Sequence, residues 1–289
     1  MRTVERSIDE SLENPFNPQF YTFEDDFICN DNIPRYMHVD LSIKHDGLGV
    51  SMGHVSGWKN VLIREDDGLE SEQELPIIQL DFLGKIRPNG GELFISDVRE
   101  LIINELARRN FNLRLITFDQ YASSETIQIL SNEGFAVDRL SLDRTTAYVV
   151  VDWDKPTKTR RISTKGNYIA AWQALKNALT DGRLRMPHNE DFIEEAEHAE
   201  RRVKGSKIII DCQSSILSLD LMESVAGTIF NAVNNESANL TIEDDLINEA
   251  DKRDAQFYDN IERGYNQNQF DFSELDFDES LYYQGGEPF

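Results

Sequence analysis

Apolar and polar residues alternate over residues 36–42 (YMHVDLS) and again over 49–55 (GVSMGHV), with Asp46 and Gly47 between them, so this stretch predicts a β-hairpin. A third strand is expected over 76–82 (PIIQLDF), where β-branched and aromatic side chains mix, and Gly90 and Gly91 mark the loop after it. The period then lengthens. Val98, Leu101, Ile102 and Leu106 recur at helical spacing behind Ser96, a candidate N-cap, and predict a helix over 95–110. Residues 113–118 (LRLITF) read as a buried strand, 126–132 as a helix opened by Ser123 or Ser124 and closed at Gly134, and 136–140 as a short further strand. Hairpin-linked strands followed by helix, strand, helix and strand predict an α/β fold with a mixed central sheet flanked by helices.

Further along, 148–153 and 158–162 pattern as two strands around Asp154, Lys155 and Pro156, a basic hairpin. Residues 167–180 are amphipathic through Ile169, Trp172, Leu175 and Leu179, 191–204 read as a charged helix, and 207–211 (KIIID) as a strand. The last strongly periodic helix is expected over 219–233, with an apolar stripe of Leu221, Val225, Ile229 and Val233. Beyond Asn235 the period is lost among acids and scattered aromatics, the pattern of a largely disordered tail in which 241–258 is the one stretch suited to a helix.

Charge sharpens these boundaries. The 289 residues carry a formal charge of -24, yet residues 236–289 hold 15 acids and 3 bases, residues 1–32 hold 8 and 2, and residues 33–235 hold 30 and 24. The chain therefore divides into a polar acidic N-terminal linker (1–32), a mildly acidic globular domain (33–235) with a basic hairpin inserted near 147–166, and an acidic tail (236–289). No apolar run approaches the roughly 18 residues of a membrane span, and the first residues lack the apolar core of a signal peptide, so a soluble intracellular protein with no membrane is expected. Cys29 and Cys212 make neither a disulfide framework nor a four-thiolate zinc site, and His38, His45 and His54 fit no zinc spacing. Neither G-x-x-x-x-G-K-[ST] nor G-x-S-x-G occurs, which excludes a P-loop motor and a serine hydrolase elbow.

Three acids stand where the pattern asks for something apolar or neutral. Asp40 interrupts the first strand, Asp119 follows directly on the buried strand 113–118, and Asp220 opens the final helix. An ionised carboxylate in such a place is costly to desolvate unless it is paired or binds a cation. One shared divalent-metal site serves all three, and oxygen-only ligation favours Mg²⁺ or Mn²⁺ over zinc. Two such ions roughly 4 Å apart activate a water and stabilise the leaving oxygen of a phosphodiester. Each acid also has an ordinary reading: Asp40 in an ion pair, Asp119 as a helix cap, Asp220 in a first turn favoured by the helix dipole. Glu223 lies one turn after Asp220, opposite the apolar stripe, and either completes the ligand set or is solvated. Asp46 is read as a turn former.

Taken in order, the blocks at 38–42 (HVDLS), 49–55 (GVSMGHV), 116–123 (ITFDQYAS), 140–145 (LSLDRT), 181–187 (DGRLRMP) and 220–227 (DLMESVAG) resemble the nuclease half of tailed-bacteriophage terminase large subunits. The likeness spans about two thirds of the chain. It implies an RNase H-like fold and a metal-dependent endonuclease that cuts concatemeric double-stranded DNA during viral genome packaging. Carried onto matching positions, it implies that Asp40 bridges two Mg²⁺ or Mn²⁺ ions, with Asp119 and Asp220 as second and third ligands and Glu223 as an auxiliary. It further implies double-stranded DNA, a terminase ATPase or motor half, a small terminase subunit and a portal as partners, and action in the host cytoplasm during phage assembly. Asn14, Pro15 and Phe16 resemble the segment joining motor to nuclease, so the chain reads as a nuclease half with the ATPase half absent. The pattern departs from the family at the last block, where Leu219 replaces the basic residue or His before the Asp, and Glu223 stands in for a second aspartate.

Lys155, Lys158, Arg160, Arg161 and Lys165 of the basic hairpin are candidate DNA-binding residues, because phosphate contacts need local positive charge in a protein this acidic; a solvated hairpin explains them equally. In the tail, Phe270, Phe272, Leu275, Phe277, Tyr282 and Tyr283 among acids suit a docking peptide, a screen over the active site, or plain solvated chain. The acids alone leave open another RNase H-like nuclease, such as a resolvase or RNA-strand hydrolase, and a non-catalytic module of a packaging machine.

Overall fold

A six-stranded mixed sheet organises the computed structural model, which describes residues 2–41, 47–64, 70–87, 95–119, 124–140, 142, 148–152, 159–163, 170–204, 207–212 and 218–240. Its strands are β1 (Arg35–Leu41), β2 (Leu48–Arg64), β3 (Glu70–Ile86), β4 (Leu113–Phe118), β5 (Val137–Arg139) and β6 (Leu184–Arg185), in the spatial order β6-β3-β2-β1-β4-β5. β1, β2 and β3 form an antiparallel meander, whereas β4 runs parallel to β1, β5 to β4 and β6 to β3. Parallel neighbours need crossovers. Helix α1 (Ile95–Glu100), continued by a π turn and a 3₁₀ turn to Arg109, leads from β3 to β4, and α2 (Ser124–Asn132) leads from β4 to β5. The later helices are α3 (Ala170–Thr180), α4 (Glu190–His198) and α5 (Asp220–Leu240). This is the mixed sheet flanked by helices that the alternating elements predict.

Strand alternation sorts the side chains into two cores. Met37, Val39, Val50, Met52, Ile116 and Phe118 pack with the α1 residues and with Leu130 of α2. Tyr36, Ile78, Leu80 and Leu115 face the other way, onto α3, α4 and α5. A bulge resets the pattern in β3: Met52 pairs with Phe82 and Gly53 with Leu80, so Asp81 is the extra residue and the strand changes face across it. β2 and β3 both run well past the stretches expected from their alternation, to seventeen residues each.

Two expectations change. The helix expected over 191–204 ends at His198, and Ala199–Lys204 instead pairs antiparallel with Lys207–Cys212. Asn189 caps the helix by accepting from the Phe192 N–H at 3.0 Å, and after Ala199 the apolar repeat that would extend it is gone. Residues 2–32, expected as a linker, pack onto the sheet. Phe16–Asn17 and Thr22–Phe23 form a small ribbon whose rings lie 5.4 Å (Phe16) and 4.8 Å (Phe23) from the Phe82 ring. Asn14 exchanges hydrogen bonds with the Leu83 backbone, and Arg109 donates to the Glu24, Phe27 and Phe23 carbonyls. Scattered single anchors of this kind leave no period in the sequence.

The basic hairpin is present as expected, with Tyr148–Asp152 pairing antiparallel with Thr159–Ser163. Among the described residues no helix is long and apolar enough to cross a membrane. The tail from residue 241 onward, with the helix expected over 241–258, and Asp46 and His45 lie outside the described residues.

Candidate metal centre

Asp40 sits near the end of β1, 4% exposed, on the face it shares with Tyr36 and His38. Directly across the sheet it pairs with Gly49 of β2, and Gly49 pairs in turn with Lys85 of β3. The row therefore reads acid, glycine, base. Helix α5 starts above the glycine: a β-carbon on Gly49 would stand 1.9 Å from the Asp220 carbonyl oxygen, and one on Gly227 would stand 2.3 Å from the His38 ring. Only glycine at these two positions lets the helix lie so close to the strands. Asp220 and Glu223, in the first turn of α5, are thereby delivered to Asp40.

A buried polar seam fixes the helix in that register. Ser224 donates to the His38 carbonyl at 2.9 Å, Thr228 donates to the Ser51 carbonyl at 3.0 Å, and the His38 N–H donates to Thr228 Oγ1 at 3.1 Å. One turn on, Asn231 donates to Thr117 Oγ1 at 2.7 Å, and the same oxygen lies 2.7 Å from His38 Nδ1. Hydrogen bonds of this kind are directional where apolar contacts are not, so they set where along the sheet the helix begins. His38 is fully buried and burial drives its pKa down to about 3, so the ring is neutral at physiological pH. The apolar stripe Leu221, Val225 and Ile229 faces the core with α3, so α5 is buried on two sides.

Three other carboxylates act on Asp40 here. The Asp40 carboxyl is raised well above its ordinary range, first by burial, then by the charges of Glu223, Asp220 and Asp119, and by a hydrogen bond with Glu223. Asp119 comes from the end of β4, the parallel neighbour of β1, where its N–H donates to the Val39 carbonyl at 3.1 Å. Thus the charges of acids at the end of β4 and in the first turn of α5 are felt at Asp40 on β1. Among the described residues no group of three or more His, Cys, Asp or Glu side chains is gathered closely enough to hold a metal ion as it stands. The donor chemistry nevertheless fits a cation: the four acids offer carboxylate oxygens only, as hard divalent ions prefer, and their mutual repulsion is relieved only by protons or positive charge.

Lys85, Glu195 and Ser218 stand behind Asp220. The Lys85 ammonium, 6% exposed, is 2.6 Å from Glu195 Oε1, 2.8 Å from Ser218 Oγ and 3.4 Å from Asp220 Oδ2. Burial works against its charge, but Glu195 and then Asp220 hold it above its ordinary value. Burial likewise pushes the Glu195 carboxyl up to about 7, against the pull of Lys85 and of the Met222 N–H, which donates to Glu195 Oε2 at 2.8 Å. Neither residue is singled out by periodicity, although both carry a signal of the kind that Asp40 carries. Lys85 is a charge inside the apolar run FLGKI, and Glu195 falls between Phe192 and Ala196 on the buried face of α4.

Elsewhere the sequence candidates separate. Arg160 and Arg161 lie opposite Val151 and Val150 in the basic hairpin, and Lys155, Lys158 and Lys165 lie outside the described residues. His54 pairs with Asp81 at 2.9 Å beside Arg35, which also pairs with Asp31, at the opposite end of β1 from Asp40.

No protein-family model matches the chain, and no curated protein matches it. Among solved structures it is similar to the large terminase nuclease from thermophilic phage G20c, with 13% identity, covering 78% of this chain and 94% of that chain at a TM-score of 0.48. It is similar to that nuclease with bound magnesium, with 12% identity over the same shares at a TM-score of 0.48. The Thermus phage P74-26 large terminase nuclease domain follows, with 12% identity, 78% of this chain and 91% of that chain, at a TM-score of 0.46. All three of these similar structures are nuclease domains of phage large terminases.

Proposed function

We propose that this chain is the nuclease of a viral genome-packaging terminase, a metal-dependent endonuclease that cuts concatemeric double-stranded DNA. The observation that supports the proposal is the buried Asp40 carboxyl, on which the charges of Glu223, Asp220 and Asp119 all act. Sequence blocks resembling that family across residues 38–227 support the choice of substrate.

Two Mg²⁺ or Mn²⁺ ions held by these acids would supply an activated water and neutralise the leaving oxygen of the phosphodiester. Asp40, on which the other three acids act, would be the principal ligand. Asp119 and Asp220 would add further carboxylate ligands, and Glu223, hydrogen-bonded with Asp40, would orient it or add a ligand. The rigid seam beneath α5 keeps these carboxylates in place, which is what a site working by positioning and electrostatics requires. Local phosphate contacts come from the basic hairpin, and a motor and portal deliver the DNA in the host cytoplasm.

A substrate panel with Mn²⁺ tests the proposal: supercoiled duplex plasmid, a four-way junction and an RNA–DNA hybrid, each with the full chain. Cutting of plain duplex is expected. Selective cutting of the junction or of the RNA strand would assign the site to a resolvase or an RNA-strand hydrolase. No cutting, together with no Mn²⁺ binding by calorimetry, would leave a non-catalytic packaging module.

A further inference from the structure

We propose that Lys85, gripped by Glu195, is the positioning residue for the third carboxylate, Asp220; this rests on the metal-site proposal above. Lys85 is not needed to fill space, since its strand neighbours Leu83 and Ile86 are fully buried apolar residues. An ammonium buried there is costly unless it is paired, and a buried ion pair contributes little net stability over apolar side chains of similar volume. What the pair does instead is close a ring. Glu195 takes Lys85 with one oxygen and the Met222 N–H with the other, Lys85 reaches Ser218 Oγ and Asp220 Oδ2, and Ser218 donates to the same Asp220 oxygen.

The ring joins β3, α4 and the start of α5. It holds the Asp220 carboxylate at Oδ2 from β3, the strand that borders β2 on the side opposite β1. Asp220 opens its helix and is 5% exposed, with Ser218 and Lys85 both on its Oδ2, so its aim is set by these contacts. Of the four acids, Lys85 reaches Asp220, at 3.4 Å, and it acts through that residue. Partners that orient a metal-bound carboxylate typically alter metal affinity by roughly 10–100-fold when removed.

Mn²⁺ binding by calorimetry on the full chain tests this, with folding followed by circular dichroism. Lys85→Met is expected to fold and to bind Mn²⁺ roughly 10–100-fold more weakly. Lys85→Arg recovers part of the loss, since it restores the charge. If Lys85 acts through Asp220, the two residues are coupled, and Lys85→Met costs less than about twofold in the Asp220→Asn background. Wild-type affinity in folded Lys85→Met, or the full loss repeated in the Asp220→Asn background, overturns the inference while leaving the metal site standing. Absence of Mn²⁺ binding by the wild type overturns both. Should Lys85→Met fail to fold, Glu195→Gln keeps an acceptor for the Met222 N–H but removes the charge that grips Lys85, and it carries the same expected loss and the same refutation.

Discussion

Gly49 and the first residue of α5 touch backbone to backbone: a β-carbon at Gly49 would lie 1.9 Å from the Asp220 carbonyl oxygen and 2.4 Å from its carbonyl carbon. Neither atom belongs to a side chain that can swing away. Gly49→Ala must therefore lift the start of α5 from the sheet. Overpacking of this kind costs about 1–3 kcal/mol, and moving Asp220 by about 1 Å costs on the order of 100-fold in cleavage. Denaturant unfolding and plasmid cleavage check both; an alanine variant with wild-type values would show that the contact is not what places Asp220.

Asp40 stands against folding when no metal is bound. Its folded pKa is raised above the unfolded value, so between the two the native chain holds a proton that the unfolded chain has released. Stability therefore falls as pH rises through that window. Asp40→Asn lacks this loss and is expected to melt higher than the wild type at pH 8 in EDTA. Mn²⁺ is expected to raise the wild-type melting temperature and leave that of Asp40→Asn unchanged, because only a state that binds the ligand is stabilised by it. Thermal scans with and without Mn²⁺ read both effects.

His38 works in the opposite direction. Burial holds its folded pKa near 3, below the ordinary value of about 6.5. The unfolded chain takes up a proton that the native ring refuses, so this contribution is whole above pH 6.5 and is lost as pH falls towards 3. The slope is about 1.4 kcal/mol per pH unit within the window. Urea unfolding in EDTA at pH 7.0, 6.0 and 5.0 is expected to show a steeper acid-side loss in the wild type than in His38→Gln, and equal slopes would refute a buried neutral ring.

Phe16 measures whether the N-terminal segment belongs to the folded unit. It is 5% exposed, stacks near Phe23 and Phe82, and presses on Gly84. Phe16→Ala is expected to destabilise the domain by about 3 kcal/mol. A detached linker would give no change in the denaturant midpoint.

The parts of this fold that were legible are those with a period. The Asp40 and Gly49 strands alternate, α1 and α5 repeat at helical spacing, and Asp40 shows as a charge in a strand that is otherwise buried on both faces. Asp119 and Asp220 were legible as acids at the ends of apolar elements. The hairpin at Ala199–Cys212 was not, because charged residues on a short exposed strand copy the composition of a polar helix. Nor was the seam beneath α5: Ser224, Thr228 and Asn231 fall on a helical stripe that looks solvated, and only the opposed Ser51, His38 and Thr117, distant in sequence, show why they are buried. Lys85 and Glu195 escaped for a related reason, since a lone charge in an apolar run gains its meaning from a partner more than a hundred residues away.

Supercoiled plasmid incubated with the full chain in Mg²⁺, Mn²⁺ or EDTA, beside Asp40→Asn, Asp119→Asn and Asp220→Asn, decides whether the carboxylate cluster is a nuclease centre. Nicking and linearisation by the wild type with a divalent ion, abolished by EDTA and by each substitution in a folded protein, is the predicted result. Cutting that survives Asp40→Asn, or a wild-type chain inert with every divalent ion, would contradict it.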